Sequence, residues 1–480
     1  MESKIDIKYI FNSAITLLIM FGFQYLPNIG PVSDMGMNAL GIFLSLVWAW
    51  TFVDLVWPSI LAIVVVGLSG FCSVADSFAA AFGNSTFLLI MFSFMFASYL
   101  QMTDLTTYIA KWCISRKFVI GKPWLFTFVF LFGIYLLGPI VSSMASTIVG
   151  WAVAYEVLST AGFKDKDKYS TLLVFSVVAS GVLGTWLFPF VAINAIGINA
   201  TAAIVGYDCN FILYTVLAGS VGLSSLLIWV LICKYVFKPN VGNLASDTDY
   251  FAQYRHQKMT FEQKISLTLT FVTILLILLP NLLPKSWALS QLLTALTPTG
   301  IFAIMLVLVG IVHWKGKSLC DAAKTVEKSN WTILLMCAGS MPIGGMMQAP
   351  ESGISEWVND IFMSVSGNTH IVITTILLVL LITLITQVGH NMVIIMVVSP
   401  IIATVCQNMG INPYPIIILA LCAANTGLVT PGGSVLGAMI YANKKYISSK
   451  QAFGYGCAQL AVVLVVLVCV GVPLSNILFQ

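Results

Sequence analysis

Residues 123–160 read PWLFTFVFLFGIYLLGPIVSSMASTIVGWAVAYEVLST, a long apolar stretch broken in its middle by Gly138-Pro-Ile-Val-Ser-Ser-Met-Ala-Ser-Thr147. Residues 371–405 repeat the pattern, with the break at Thr386-Gln-Val-Gly-His-Asn391. One membrane crossing takes roughly 20 apolar residues. Polar, glycine-containing backbone is tolerated at membrane depth only where protein or a wet cavity covers it. Both stretches therefore read as re-entrant hairpins with polar tips.

Working outward, the chain is 59% hydrophobic and 8% charged, with a mean hydropathy of +0.98. A soluble domain is about 25% charged, so the partner of this chain is a lipid bilayer. Eleven further apolar segments are expected to span it, near 9–27, 38–53, 55–72, 85–103, 171–197, 211–236, 265–283, 299–313, 330–348, 412–440 and 453–479. The net charge of +4 is then a matter of membrane topology, not of nucleic-acid binding. The ten cysteines contain no CxxC pair and read as small buried hydrophobes. The charged stretch Glu2 to Lys8 precedes an apolar run without a cleavage signal, so it reads as the start of a retained first span.

Charge placement sets the expected orientation. With the N-terminus in the cytoplasm and the C-terminus outside, 21 of the 22 Lys and Arg residues fall on the cytoplasmic side and only Lys285 outside, as the positive-inside rule requires. The first hairpin has basic flanks and enters from the cytoplasm. The second is flanked by Glu351, Glu356 and Asp360 without Lys or Arg, and enters from outside. The two halves also echo each other at an offset of 244 to 246 residues. Asn84-Ser-Thr-Phe-Leu-Leu pairs with Asn330-Trp-Thr-Ile-Leu-Leu, Asp76 with Asp321, Ser142 with Thr386, and Thr185 with Thr430. The expectation is an all-α polytopic protein of about eleven spans and two opposed hairpins, built as an inverted repeat. Such repeats mark secondary transporters whose site lies where the repeats meet.

The expected division is an N-terminal span (1–37), a first repeat (38–236), a cytoplasmic linker (237–264), a linking span (265–298) and a second repeat (299–480). Each repeat holds a scaffold part (38–122 and 299–370) and a transport part (123–236 and 371–480). Two spans in the transport parts are themselves broken, at Ser180-Gly-Val-Leu-Gly-Thr-Trp186 and at Asn425-Thr-Gly-Leu-Val-Thr-Pro-Gly-Gly-Ser434.

No acid or base falls at mid-span; Asp54 and Glu156 come nearest. A proton pump or amine carrier would ordinarily place a carboxylate there, and a membrane-embedded enzyme would need an acid/base pair or a metal cluster. The midplane instead offers hydroxyls, amides and broken helices. Broken helices present N-terminal amides to an anion and unwound carbonyls to Na⁺. A Ser or Thr inside a span ordinarily bonds a carbonyl one turn back; recurrence of the breaks in both halves favours a site. A channel would need a continuous water path, which closed tips from opposite sides do not give.

These elements resemble the divalent anion/sodium symporter family, over most of the chain from Trp57-Pro-Ser-Ile-Leu through Gly456. The resemblance implies Na⁺ symport of a di- or tricarboxylate-like small organic anion, an elevator-like movement, a homodimer and a location in the cell (inner) membrane. Members carry Ser-Asn-Thr at each hairpin tip; here Ser146-Thr147-Ile148 and His390-Asn391-Met392 stand there. The family's Thr-Pro-Pro turn is Thr430-Pro431-Gly432 in the second half and Gly184-Thr185-Trp186 in the first. The resemblance thus implies substrate contacts from Thr147, Thr185, Trp186, His390, Asn391, Thr430 and Pro431. It implies Na⁺ ligands from Ser142, Ser146, Thr147, Gly184, Thr386 and Asn391. Imidazole is a poor partner for a hard cation, so His390 leaves H⁺ coupling or exchange against a counter-anion open.

Overall fold

A computed structural model describes residues 7–245, 249–314, 316–358, 360, 371–389 and 391–479. His390 lies outside the described residues. The described chain is helical apart from one two-residue strand pair, His313–Trp314 with Lys317–Ser318. Nine described helices are long and apolar enough to cross a membrane, and two of these, Pro123–Val141 and Asn391–Asn408, belong to the hairpins. The other seven combine with Trp57–Leu68, Trp331–Gln348 and two broken spans, Lys168–Gly184/Ala192–Val205 and Tyr414–Ala424/Val435–Ala442, to give the eleven spans.

Two apolar cores organise the helices. The smaller packs Met37, Ile42 and Leu46 against Val65 and Val66, and against Met336, Ile343 and Met346. Here Gly339 lets Trp331–Gln348 lie on Ser59 of Trp57–Leu68, and Trp50 Nε1 donates to Ser59 Oγ at 2.9 Å. The larger core holds both hairpins, both broken spans and the two long spans Phe211–Phe237 and Ser449–Leu478. Large apolar side chains of the first helix, Phe11, Leu18 and Phe21 among them, are exposed, as a lipid-facing surface is.

The inverted repeat is visible in matching local devices. Asn84 and Asn330 each cap the helix that follows, accepting from Thr86 N at 2.8 Å and from Ile333 N at 3.2 Å. The last span of each half carries a π-helical turn, Cys233–Phe237 at the end of one and Leu467–Gly471 ahead of the closing segment Val472–Leu478 in the other. The halves interlock where Gly197 of the first broken span faces Ser399 of the second hairpin.

One break is shorter, and one lies later, than the sequence suggests. The first hairpin stays helical through Gly138-Pro139 to Val141 and opens only at Ser142. Ser142 has φ 151° and ψ 158°, a region essentially reserved for glycine and costing about 1–3 kcal/mol. Its hydroxyl caps the returning helix by accepting from Ala145 N at 3.1 Å. The first broken span runs unbroken through Ser180 and Gly181 to Gly184 and opens over 185–191. Asn194 holds the opening, donating from Nδ2 to the carbonyls of Thr185 (2.7 Å) and Phe188 (2.8 Å). The second broken span opens over 425–434, as expected.

The two nearest acids are accounted for by caps and pairs. Asp54 Oδ1 accepts from Val56 N and Trp57 N. Glu156 accepts from the Tyr254 hydroxyl and lies 3.6 Å from Lys111 Nζ.

Pro139 has no N–H, so the carbonyl of Tyr135 one turn back loses its helical donor. That carbonyl lies so close to Gly184 that a Cβ there would stand 1.9 Å from it. Gly184→Ala is therefore expected to collapse the yield and melting temperature of the purified protein. Gly310→Ala and Gly454→Ala, where an added Cβ meets nothing within 4 Å, are expected to leave both near wild type. Equal behaviour of the three variants in a detergent thermal-melt assay would refute the close approach.

Candidate functional site

Four helices begin at one cleft. The helices starting at Ser143, Ala192, Asn391 and Val435 are the second halves of the two hairpins and the two broken spans. Their first residues line two adjoining cavities, which share Ser142, Ser143, Asn391, Met392 and Asn425. A helix N-terminus carries free N–H groups and about half a positive charge. Convergence of four makes the cleft a place for an anion. The opposite wall comes from Ser85–Met102, through Phe94, Ala97 and Gln101, and from Ile333 of Trp331–Gln348. Thr270, Thr273 and Phe302 close one end, and Lys328 and Asn330 stand at the other.

A relay of hydrogen bonds ties three of the breaks together. Asn391 Nδ2, at the second hairpin tip, donates to Asn425 Oδ1 at 3.0 Å. Asn425 Nδ2 donates to Thr185 Oγ1 at 2.7 Å, and the Thr185 hydroxyl donates to the Val182 carbonyl at 2.6 Å. The two repeats thus meet side chain to side chain at the cleft.

Oxygens gather behind this surface, from the first turn of the returning helix in the first repeat and from the end of the first hairpin helix in the second. In the first repeat, the face that Gly181 leaves bare is surrounded by Ser146 Oγ, Ser143 O and Thr147 Oγ1, at 2.9, 3.5 and 3.5 Å from where its Cβ would stand. Thr147 is fully buried, and its Oγ1 has no hydrogen-bond partner among the described residues. Orphaned buried hydroxyls are uncommon, and an oxygen niche of this kind fits a small hard cation. In the second repeat, the carbonyls of Thr386 and Gln387 press on Gly427 and Gly433 at similar distances. Gln387 stitches this loop, accepting from Val429 N at 3.1 Å and donating to Thr383 O at 2.8 Å.

Of the residues singled out in the sequence, Ser142, Thr185 and Asn391 line the cleft. Ser146 and Thr147 are fully buried in the first oxygen niche. Thr386 is fully buried and donates to the Ala424 carbonyl. Thr430 donates to the Gln387 carbonyl, and Pro431 is exposed beside it; neither lines the cavities. Trp186 is fully buried behind the first opening and lines neither cavity. Gly184 packs on Tyr135, and its carbonyl accepts from Leu187 N at 3.0 Å. Gln387 and Asn425 lie in breaks the sequence shows but receive a defined role only from the structure, and Lys328 emerges from the structure alone. Asn425 was signalled by its place at the head of the second break, and Lys328 by nothing local.

A polytopic helical protein whose two opposed hairpins meet at one cleft, with Lys328 as the charged side chain among the described residues at its edge, has the architecture of a membrane transporter. The family described as the sodium:sulfate symporter transmembrane region matches residues 8–480, and the chain belongs to it. It is similar to the sodium-dependent dicarboxylate transporter SdcS of Staphylococcus saprophyticus, 22% identical over 91% of this chain and 86% of that one. It is also similar to SdcS of Staphylococcus aureus strain USA300, 20% identical over 90% and 84% respectively. Among solved structures it is similar to the Alcanivorax borkumensis YdaH transporter, whose crystal structure is described as having an unusual topology. The TM-score is 0.60 at 14% identity, over 90% of this chain and 98% of that one; this likeness concerns the fold.

Thr185→Val and Asn425→Leu should each lower the melting temperature of the purified protein by the equivalent of about 1 kcal/mol. Because they cut one relay, the double variant should lose clearly less than the sum. Strict additivity in the thermal-melt cycle would show that the relay does not act as a unit.

Proposed function

We propose that this protein is a secondary active transporter that couples Na⁺ entry to movement of a small di- or tricarboxylate-like anion. The observation that carries this reading is the convergence of four helix N-termini on one cleft, backed by an oxygen niche at the hairpin of each repeat. The names of the two SdcS relatives support both the cation and the anion class.

In this reading Ser142, Ser143, Asn391 and Asn425 present donors to the carboxylates, and Na⁺ travels as co-substrate beside them. Ser146 and Thr147 would hold one Na⁺. Thr386, with the carbonyls around Gly427, would hold a second, beside Asn391. A cation seated behind the amides raises affinity for the anion, and by linkage the anion raises affinity for the cation. The pair therefore crosses together.

Transport would proceed by an elevator-like step. The hairpins and broken spans would slide past a scaffold that includes Ser85–Met102 and Trp331–Gln348, and that also forms a homodimer interface. The bond from Asn199 Nδ2 to Thr86 Oγ1, 2.9 Å long, joins the moving and fixed parts and would break in that step. The N-terminus would be cytoplasmic, the C-terminus outside, and the site of action the cell membrane.

The test is counterflow and gradient-driven uptake of labelled succinate, citrate and malate in proteoliposomes, with and without a Na⁺ gradient, at mildly acidic and neutral pH. Uptake that requires the Na⁺ gradient is expected. Uptake indifferent to Na⁺ but set by pH or internal anion would replace symport by H⁺ coupling or exchange. Thr147→Val, which keeps the shape and removes the orphaned oxygen, should raise the half-saturating Na⁺ concentration about tenfold, the equivalent of ~1.4 kcal/mol. An unchanged Na⁺ dependence would remove Thr147 from the cation site.

A further inference from the structure

Lys328 is the only charged side chain among the described residues that line the two cavities. It is exposed and stands at the end of the cleft with Gln101 and Asn330. Its backbone is fixed. Ser329 Oγ donates to Thr325 O at 2.7 Å, Trp331 Nε1 donates to Val326 O at 2.9 Å, and Asn330 caps the following helix. Among the described residues no carboxylate lies within ion-pair distance of Lys328, whereas Lys324, one turn earlier, pairs with Asp321 at 3.3 Å.

A lysine at the last turn of a helix also complements that helix's dipole, which is the plain structural account of Lys328. That account does not require it to border a cleft holding Ser142, Asn391, Asn425 and Ser434. A lone cation beside a mostly apolar, low-dielectric cavity focuses potential into it and raises the local concentration of anions. The effect scales with the ligand's charge, so it separates dianions from monoanions.

We propose that Lys328 is the anion-recruiting and charge-selecting residue of this cleft. Fixed at one mouth, on the face expected to be cytoplasmic, it draws a dianion toward the helix N-termini and favours it over a monoanion of similar size. This inference rests on the anion-transport reading above.

The experiment compares wild type with Lys328→Arg, Lys328→Gln and Lys328→Glu. Calorimetry on purified protein, at fixed NaCl with ionic strength raised by choline chloride, gives affinities for succinate and sulfate as dianions and lactate as a monoanion. Counterflow in proteoliposomes gives maximal turnover. Arg should stay near wild type. Gln should weaken dianion binding about tenfold and Glu further, with a smaller loss for lactate. High ionic strength should shrink these differences, and turnover at saturation should change little. Equal losses for Arg and Gln, losses indifferent to ligand charge or salt, or an unaltered Lys328→Gln would each overturn the inference while leaving wild-type transport standing. Wild type that neither binds nor carries any of these anions would overturn the transport reading and this inference with it.

Discussion

Backbone amides and carbonyls inside a bilayer must find partners within the protein, because lipid offers none. Here the helical ladder is interrupted at four breaks, and the helices that follow them all begin at one cleft. Each break frees N–H groups on the helix that follows and carbonyls on the helix that precedes. Both hairpins and both broken spans turn the freed amides toward one cleft and their carbonyls toward glycines behind it. The polarity of the peptide unit thus turns donors toward the cleft and leaves oxygens behind it.

Side chains hold the breaks open more than they form the site chemistry. Asn194 fastens the first opening by two carbonyls, Gln387 laces the second hairpin to the second opening, and Ser142 caps the first tip from a conformation usually left to glycine. The glycines that allow close approach, Gly181, Gly184, Gly427 and Gly433, sit where a carbonyl or hydroxyl oxygen from another segment comes within reach. Small residues at helix contacts allow this in membranes, where apolar burial gives little drive for association. The relay through Thr185, Asn425 and Asn391 then links the two repeats side chain to side chain.

Much of this was legible in the chain. The apolar stretches with polar middles gave hairpins, because polar backbone at that depth has few other places to go. Residue pairs such as Asn84 with Asn330 gave the repeat, and both turn out to cap equivalent helices. Legibility failed where three-dimensional neighbours set the outcome. Ser180 and Gly181 look like part of a break but lie within a helix, because Asn194 ties down the chain farther on and Gly181 packs on Ser146. Trp186 looks like a site residue by position, yet its ring points into the core.

What the sequence determined by itself is what depends on local composition and order: membrane residence, the number of spans, the two hairpins, the repeat and its expected inversion. Hydropathy and charge placement act through each segment's own contact with lipid and water, so no partner needs to be known. Tertiary structure alone decided which polar groups meet. Asn425 finds Thr185 across 240 residues, Thr147 is left buried with its hydroxyl unpaired, and Lys328 is brought to the mouth of a cleft whose far wall is more than 60 residues away in the chain. Those encounters arise from helix packing between the repeats, a property no single segment carries.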